Sequence, residues 1–180
     1  MQNIFCIFKT YYQRIFHSIT YLLPGILLCM LLTGCNTNIT PIDCPFTDLG
    51  WETTEAELFD SSGEYTSSYA STYGGTTYTY AGTYYNKDGT LKYMYDDKGI
   101  LMSVAWAYSA PDEASLLTLY NEIHSDLEAT HGKSGYNTEN ATNYGDVWKL
   151  EEGHIILSVM LTNTNKALQI AYVNPQNNND

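Results

Sequence analysis

Hydrophobic and polar positions change period several times along the chain, and each change marks an element. From Thr76 to Tyr85 they alternate, with Tyr78, Tyr80 and Tyr84 on one side and Thr77, Thr79 and Thr83 on the other. A period of two predicts a strand in a sheet with two unlike faces. Leu91, Tyr93 and Tyr95 continue the aromatic side, opposed by Lys92. The segment Tyr85-Asn86-Lys87-Asp88-Gly89-Thr90-Leu91 then recurs as Tyr95-Asp96-Asp97-Lys98-Gly99-Ile100-Leu101. Each copy ends a strand on an aromatic, turns on Asn or Asp with a Gly, and restarts on Leu. The pattern predicts a three-strand meander over residues 76–85, 90–95 and 100–108.

Two helices are predicted around this meander. Thr54-Glu55-Ala56-Glu57 has capping-box spacing, with Ala56, Leu58 and Phe59 as a small apolar face, so a short helix is expected over 54–60. Ser109-Ala110-Pro111-Asp112-Glu113 reads as a second helix start, with Ser109 as the hydroxyl cap. Leu116, Leu119, Tyr120, Ile123 and Leu127 then recur at three- and four-residue spacing, and Gly132 ends the helix. Residues 133–144 read as a polar loop. Three further strands are expected at 146–150, 154–162 and 167–173, the last two with Ile155, Leu157, Val159 and Leu161, and Leu168, Ile170 and Tyr172, on one face. Residues 175–180 form a polar tail.

The N-terminal region follows a different rule. Residues 1–18 carry Lys9, Arg14 and His17, and Ile19–Leu32 is almost wholly apolar. That run is shorter than the roughly 20 residues of a membrane-spanning helix, and Pro24-Gly25 interrupts it. It closes on Leu32-Thr33-Gly34-Cys35, which resembles the lipobox of bacterial lipoproteins. The resemblance implies that residues 1–34 are a removed signal peptide and that Cys35 gains a diacylglyceryl thioether, with an amide-linked third chain possible. Two or three chains hold far more firmly than one, since each buried methylene contributes about 0.8 kcal/mol. By the family's sorting rule an aspartate after the cysteine favours inner-membrane retention, and Asn36 does not match that signal. The expected location is therefore extracytoplasmic, on the cell membrane or the outer membrane. Residues 35–48, with Pro41 and Pro45, read as a lipidated tether, and 49–174 as a single domain.

Cleavage sharpens the charge. The leader takes two of the eight basic residues and none of the twenty acids, leaving a 146-residue body with a net charge of −14. Such a body is repelled by nucleic acid, which is not expected as a partner. Of four cysteines only Cys44 remains beyond the lipidation site, so neither an internal disulfide nor a thiolate cluster is expected.

Candidate chemistry is sparse. His124-Ser125-Asp126 has triad residue types, but helix neighbours diverge and cannot form a relay. Gly132-Lys133-Ser134 resembles the end of a phosphate loop, yet Leu127 stands where the pattern needs glycine, and the segment follows a helix rather than a strand. His124, His131 and His154 lack zinc spacing. Asp88, Asp96 and Asp97 sit in separate turns and do not establish a calcium site. No catalytic residue, cofactor or metal is expected. The tyrosine stripe has two readings: it packs under a helix with its hydroxyls at the wet rim, or Tyr78, Tyr80, Tyr84 and Tyr93 form an exposed binding surface.

The expected class is α+β: antiparallel meander sheets with one short and one long helix, arranged as a doubled helix-then-meander unit. Trp51, Thr54–Leu58, Gly63 and strands such as Thr76–Tyr80 resemble envelope lipoproteins of the SmpA/OmlA (BamE-like) type and the tandem fold of β-lactamase inhibitor protein. This chain departs from them in having one helix per unit rather than a helical hairpin, and only the architecture is implied. The expected function is a non-catalytic binding or structural module of the cell envelope. It contacts an envelope protein or wall polymer through its sheet or the 133–144 loop. The alternatives are a tyrosine-lined binder of a glycan or small ligand and an enzyme with dispersed acids.

Overall fold

A computed structural model of the chain describes residues 40–139, 143–162 and 165–178. Residues 1–35, the segment expected to be a leader ending in a lipobox, lie outside them. The described chain is mixed α+β, with two α-helices and one eight-stranded antiparallel sheet. Helix α1 (Glu55–Ser62) precedes β1 (Ser67–Ala70), β2 (Gly74–Tyr84), β3 (Lys87–Asp96) and β4 (Leu101–Ser109). Helix α2 (Glu113–His131) precedes β5 (Tyr136–Glu139), β6 (Asn143–Leu150), β7 (Gly153–Leu161) and β8 (Lys166–Val173). The strand order is β1-β2-β3-β4-β8-β7-β6-β5, so each run of four pairs with its chain neighbours and the runs join through β4 and β8.

The capping box on α1 forms as its spacing predicts. Glu57 N–H donates to Thr54 Oγ1 at 3.3 Å, and the Glu57 carboxylate accepts from Thr54 N–H at 2.8 Å. Helix α2 starts later than expected. Asp112 is its cap, accepting from Ser115 N–H at 2.8 Å, while Ser109 is the last residue of β4. A carboxylate is the stronger acceptor for the free N–H groups of a first turn, and Pro111 is spent before the helix begins.

The tandem turn motif does not give a tandem structure. The first hairpin turns on Tyr85 and Asn86, both at positive φ (48° and 55°), the two-residue geometry whose twist matches its strands. Asp88 and Gly89 therefore lie inside β3. The second hairpin turns over Asp97–Gly99, and Asp96 Oδ1 accepts from the N–H groups of Lys98 (2.9 Å) and Ile100 (2.8 Å). Register separates the two copies: Tyr85 is a turn residue, whereas its counterpart Tyr95 is fully buried.

Two edge strands were not legible in the sequence. β1 is exposed along its whole length and carries no apolar alternation. β5 occupies part of the segment expected to be a loop. Residues 40–48, expected as tether, contribute Ile42 and Cys44 to the core and pack Phe46 against it. The expected tail includes one 3₁₀ turn, Pro175–Asn178.

The core lies on one face of the sheet. Leu58 of α1 and Leu116, Leu119, Ile123 and Leu127 of α2 bury against it, α2 packing on β7 and β8. Cross-strand register defines the covered face as a row: Tyr80, Leu91, Trp106, Ile170, Leu157, Asp146, Asn137. The next residue of each strand points to the opposite face, along Ser67, Thr79, Lys92, Ala105, Ala171, Ile156, Val147 and Tyr136.

Candidate functional site

The covered row is aromatic or aliphatic through five strands, Tyr80 to Leu157, and then meets a carboxylate. Asp146, on β6 opposite Leu157, has no solvent exposure. Its surroundings come from three elements. Tyr120 and His124, four residues apart on α2, share one face of that helix. Ser134 follows the helix, and Asn137 lies opposite Asp146 on β5. Asp146 Oδ1 accepts from Ser134 Oγ at 2.7 Å and from Asn137 Nδ2 at 2.8 Å, and Oδ2 accepts from the Tyr120 hydroxyl. His124 Nε2 stands 3.5 Å from Oδ2. Burial acts to raise the carboxyl's pKa, but the bonds from Tyr120, Asn137 and Ser134, with His124 nearby, outweigh it and hold the group below the usual carboxylate value. Asp146 is therefore a buried anion.

Trp148, two residues along β6, donates its indole N–H to the Gly132 carbonyl at 2.8 Å and lies 5.6 Å from the His124 ring. Tyr144 lies 6.1 Å from Tyr120. Tyr120, His124, Asn137, Tyr144 and Asp146 border a pocket of about 380 Å³.

The opposite face carries a wider, shallower groove of about 730 Å³, lined by Thr66, Ser67, Tyr69, Thr79, Thr90 and Lys92 among others. Ser67 and Thr79 pair their hydroxyls at 2.8 Å. Lys92 reaches across β4 to donate to Gln169 Oε1 at 3.1 Å, and partial burial lowers its pKa. Tyr69 is half exposed at the groove's side. A third hollow, of about 260 Å³, is bordered by Ile42, Trp51, His131, His154 and Tyr172.

The tyrosine stripe lies on the covered face. Tyr78 packs edge-on against Phe59 of α1 and donates to Glu55 at 2.9 Å, and Tyr80 donates to the Gly63 carbonyl at 3.4 Å. Tyr93 donates to Thr47 Oγ1 at 3.4 Å, and Tyr84 sits between Phe46 and Trp106. The four rings face α1 and the 42–49 segment, with polar hydroxyls near the rim, so their faces are not offered to solvent as a platform. Cys35 lies outside the described residues.

Of the acids expected in turns, Asp88 lies within β3 and accepts from its cross-strand partner Thr83 at 2.8 Å, while Asp96 caps the second hairpin. Among the described residues no three His, Cys, Asp or Glu side chains converge as a metal site would need. Asp126 accepts from the Tyr85 hydroxyl, while its helix neighbour His124 faces Asp146 instead. The Asp146 network was missed from sequence. A signal for it existed: Tyr144, Asp146, Trp148 and Leu150 share one parity, placing an acid inside an otherwise apolar face. No protein-family model, curated protein or solved structure matches the chain.

Proposed function

We propose that the chain is a lipid-anchored, extracytoplasmic lipoprotein of a bacterial envelope that acts as a non-catalytic binding module for a wall polymer. The anchor is read from Leu32-Thr33-Gly34-Cys35, with Cys35 as the lipidated residue on the cell membrane or outer membrane. Cys35 lies seven positions before buried Ile42, so the tether reaches at most ~25 Å. The architecture is read as a doubled unit, each half a helix followed by four strands, joined edge to edge at β4 and β8. That reading agrees with the SmpA/OmlA and β-lactamase-inhibitor resemblance in architecture and implies no activity.

One observation carries the binding reading. Both helices and the 42–49 segment pack on one face of the sheet, and the other face holds the hydroxyl-lined groove beside Tyr69. Hydroxyl groups around a tyrosine ring, with Lys92 and Asp88 as the charged members of the lining, suit a hydroxyl-rich chain of sugars. An envelope protein is the alternative occupant.

The test has two parts. Mass spectrometry of the N-terminal peptide from membranes should find lipid on Cys35 and no upstream leader. An intact leader with unmodified Cys35 overturns the anchor. Sedimentation with insoluble wall glycan should deplete the wild-type chain and lose at least tenfold in affinity with Tyr69→Ala. Equal retention of both chains overturns the groove.

A further inference from the structure

We propose that the pocket above Asp146 is a binding site for a small molecule bearing a primary ammonium group. It lies on the opposite face of the sheet from the groove and is independent of the wall-polymer reading.

The first argument is charge. Asp146 is a buried anion, and a buried charge needs compensation. Its bonds come from Tyr120, Ser134 and Asn137, all neutral donors. Among the described residues lining the pocket there is no Lys or Arg. The nearest group able to carry positive charge is His124, whose Nε2 is 3.5 Å away, longer than a strong charge-assisted bond. The body as a whole is acidic. The pocket is thus a place where a cation is favoured and an anion is not.

The second argument is the hydrogen-bonding pattern. A carboxylate has about four lone-pair positions, and three of Asp146's are used. The fourth looks toward His124 Nε2, favouring the tautomer with the proton on that nitrogen. Nδ1 is then an acceptor, and no described residue donates to it. His124 lines the pocket with about a quarter of its side chain exposed. Aspartate, imidazole and a ligand N–H form a chain that runs from the buried charge to the pocket.

The third argument is the wall. The rings of Tyr120 and Tyr144, 6.1 Å apart, border the same space and attract a cation through their faces. The volume, about 380 Å³, holds a molecule the size of one sugar ring or an ethanolamine group. An amino sugar and a lipid headgroup are two sources of the same chemistry.

The test titrates the full chain, in a neutral maltoside detergent, with glucosamine, N-acetylglucosamine, ethanolamine and choline. The His124 ring signals are followed by NMR. Glucosamine or ethanolamine should shift those signals saturably, and which of them binds more tightly assigns the source. N-acetylglucosamine, the same ring without the charge, and choline, the charge without N–H donors, should bind at least tenfold more weakly than their partners. Asp146→Asn should lose binding tenfold or more. Because that variant perturbs a buried network, His124→Gln is the second, with the same loss expected; its binding, and the wild-type comparison, are read from the Trp148 indole signal, 5.6 Å from the His124 ring, since the imidazole signals are then gone. N-acetylglucosamine binding as tightly as glucosamine, choline as tightly as ethanolamine, undiminished binding by His124→Gln, or no saturable shift with any probe at millimolar concentration each overturns the proposal.

Discussion

Trp106 donates its indole N–H to the Gly82 carbonyl at 3.1 Å, and it does so across a floor made of two glycines. Gly82 and Gly89 stand opposite one another in the β2–β3 register, both on the covered face. A Cβ on Gly89 would come 2.6 Å from Trp106 Nε1 and 2.5 Å from the Ala107 carbonyl oxygen. Gly89 thus leaves room for the fully buried indole, while a Cβ on Gly82 would press on Leu91 instead. Gly89→Ala should therefore destabilise the fold by about 1–3 kcal/mol through overpacking. Gly63→Ala meets no atom within 4 Å and is strained only by its φ of +74°, costing about 1 kcal/mol. Urea unfolding of the two variants separates packing from backbone strain; equal losses would remove the glycine floor as an explanation.

The Asp146 network gives stability a pH dependence. A carboxyl whose native pKa is depressed contributes fully above its unfolded value of about 3.9, and the contribution is lost as pH falls through the lower native value. Unfolding free energy should decline on acidification below about pH 4, with a shallower slope in Asp146→Asn. At neutral pH, Asp146→Ala takes the acceptor from Tyr120, Ser134 and Asn137 together and should cost about 3 kcal/mol. Urea midpoints at several pH values check both.

Cys44 should behave as an inert thiol. Burial pushes its pKa up to about 12, against the opposing hydrogen bonds of the Phe46 and Thr47 backbone. Thiolate is the reactive form, so alkylation of the native chain should leave the Cys44 peptide unmodified. Denaturant should expose it. Peptide-resolved mass spectrometry reads this without interference from the other cysteines.

The tyrosines should divide by position rather than by sequence motif. Tyr69 and Tyr136 are 50% and 60% exposed and should be nitrated first by tetranitromethane. Tyr78, Tyr80 and Tyr93 should react only on unfolding.

The same burial predicts alkaline lability. Burial, with the neighbouring Cys44, pushes Tyr84 up to about 12, and burial likewise raises Tyr78, Tyr80 and Tyr93. Groups with raised native pKa stabilise fully below the phenol's ordinary value of about 10 and lose that contribution as pH rises through the native value. Ultraviolet titration should show these phenols ionising together with loss of structure, not before it.

Much of the architecture was legible because it follows from periodicity. The alternation at Thr76–Tyr85 and at Ile155–Leu161, the spacing of Leu116–Leu127 and the Thr54–Glu57 box each specify an element through contacts between near neighbours. The edge strands were not legible, since β1 and β5 bury too little to leave an alternating pattern. Nor was the inequality of the two turn motifs, because Gly89 is required by Trp106 seventeen positions later rather than by the turn. The site was half legible: parity placed Asp146 among apolar residues, but only packing could bring Tyr120, His124 and Asn137 to it.

The sequence by itself determined most of the local elements and the acidity of the chain, which depend on composition and on residues close together in the chain. Tertiary structure decided which sheet face is covered, what the tyrosines touch, and that His124 faces Asp146 rather than Asp126. Those outcomes depend on strand order and cross-strand register, which are set by the free energy of joining residues far apart in the chain and leave no mark in any short window of it.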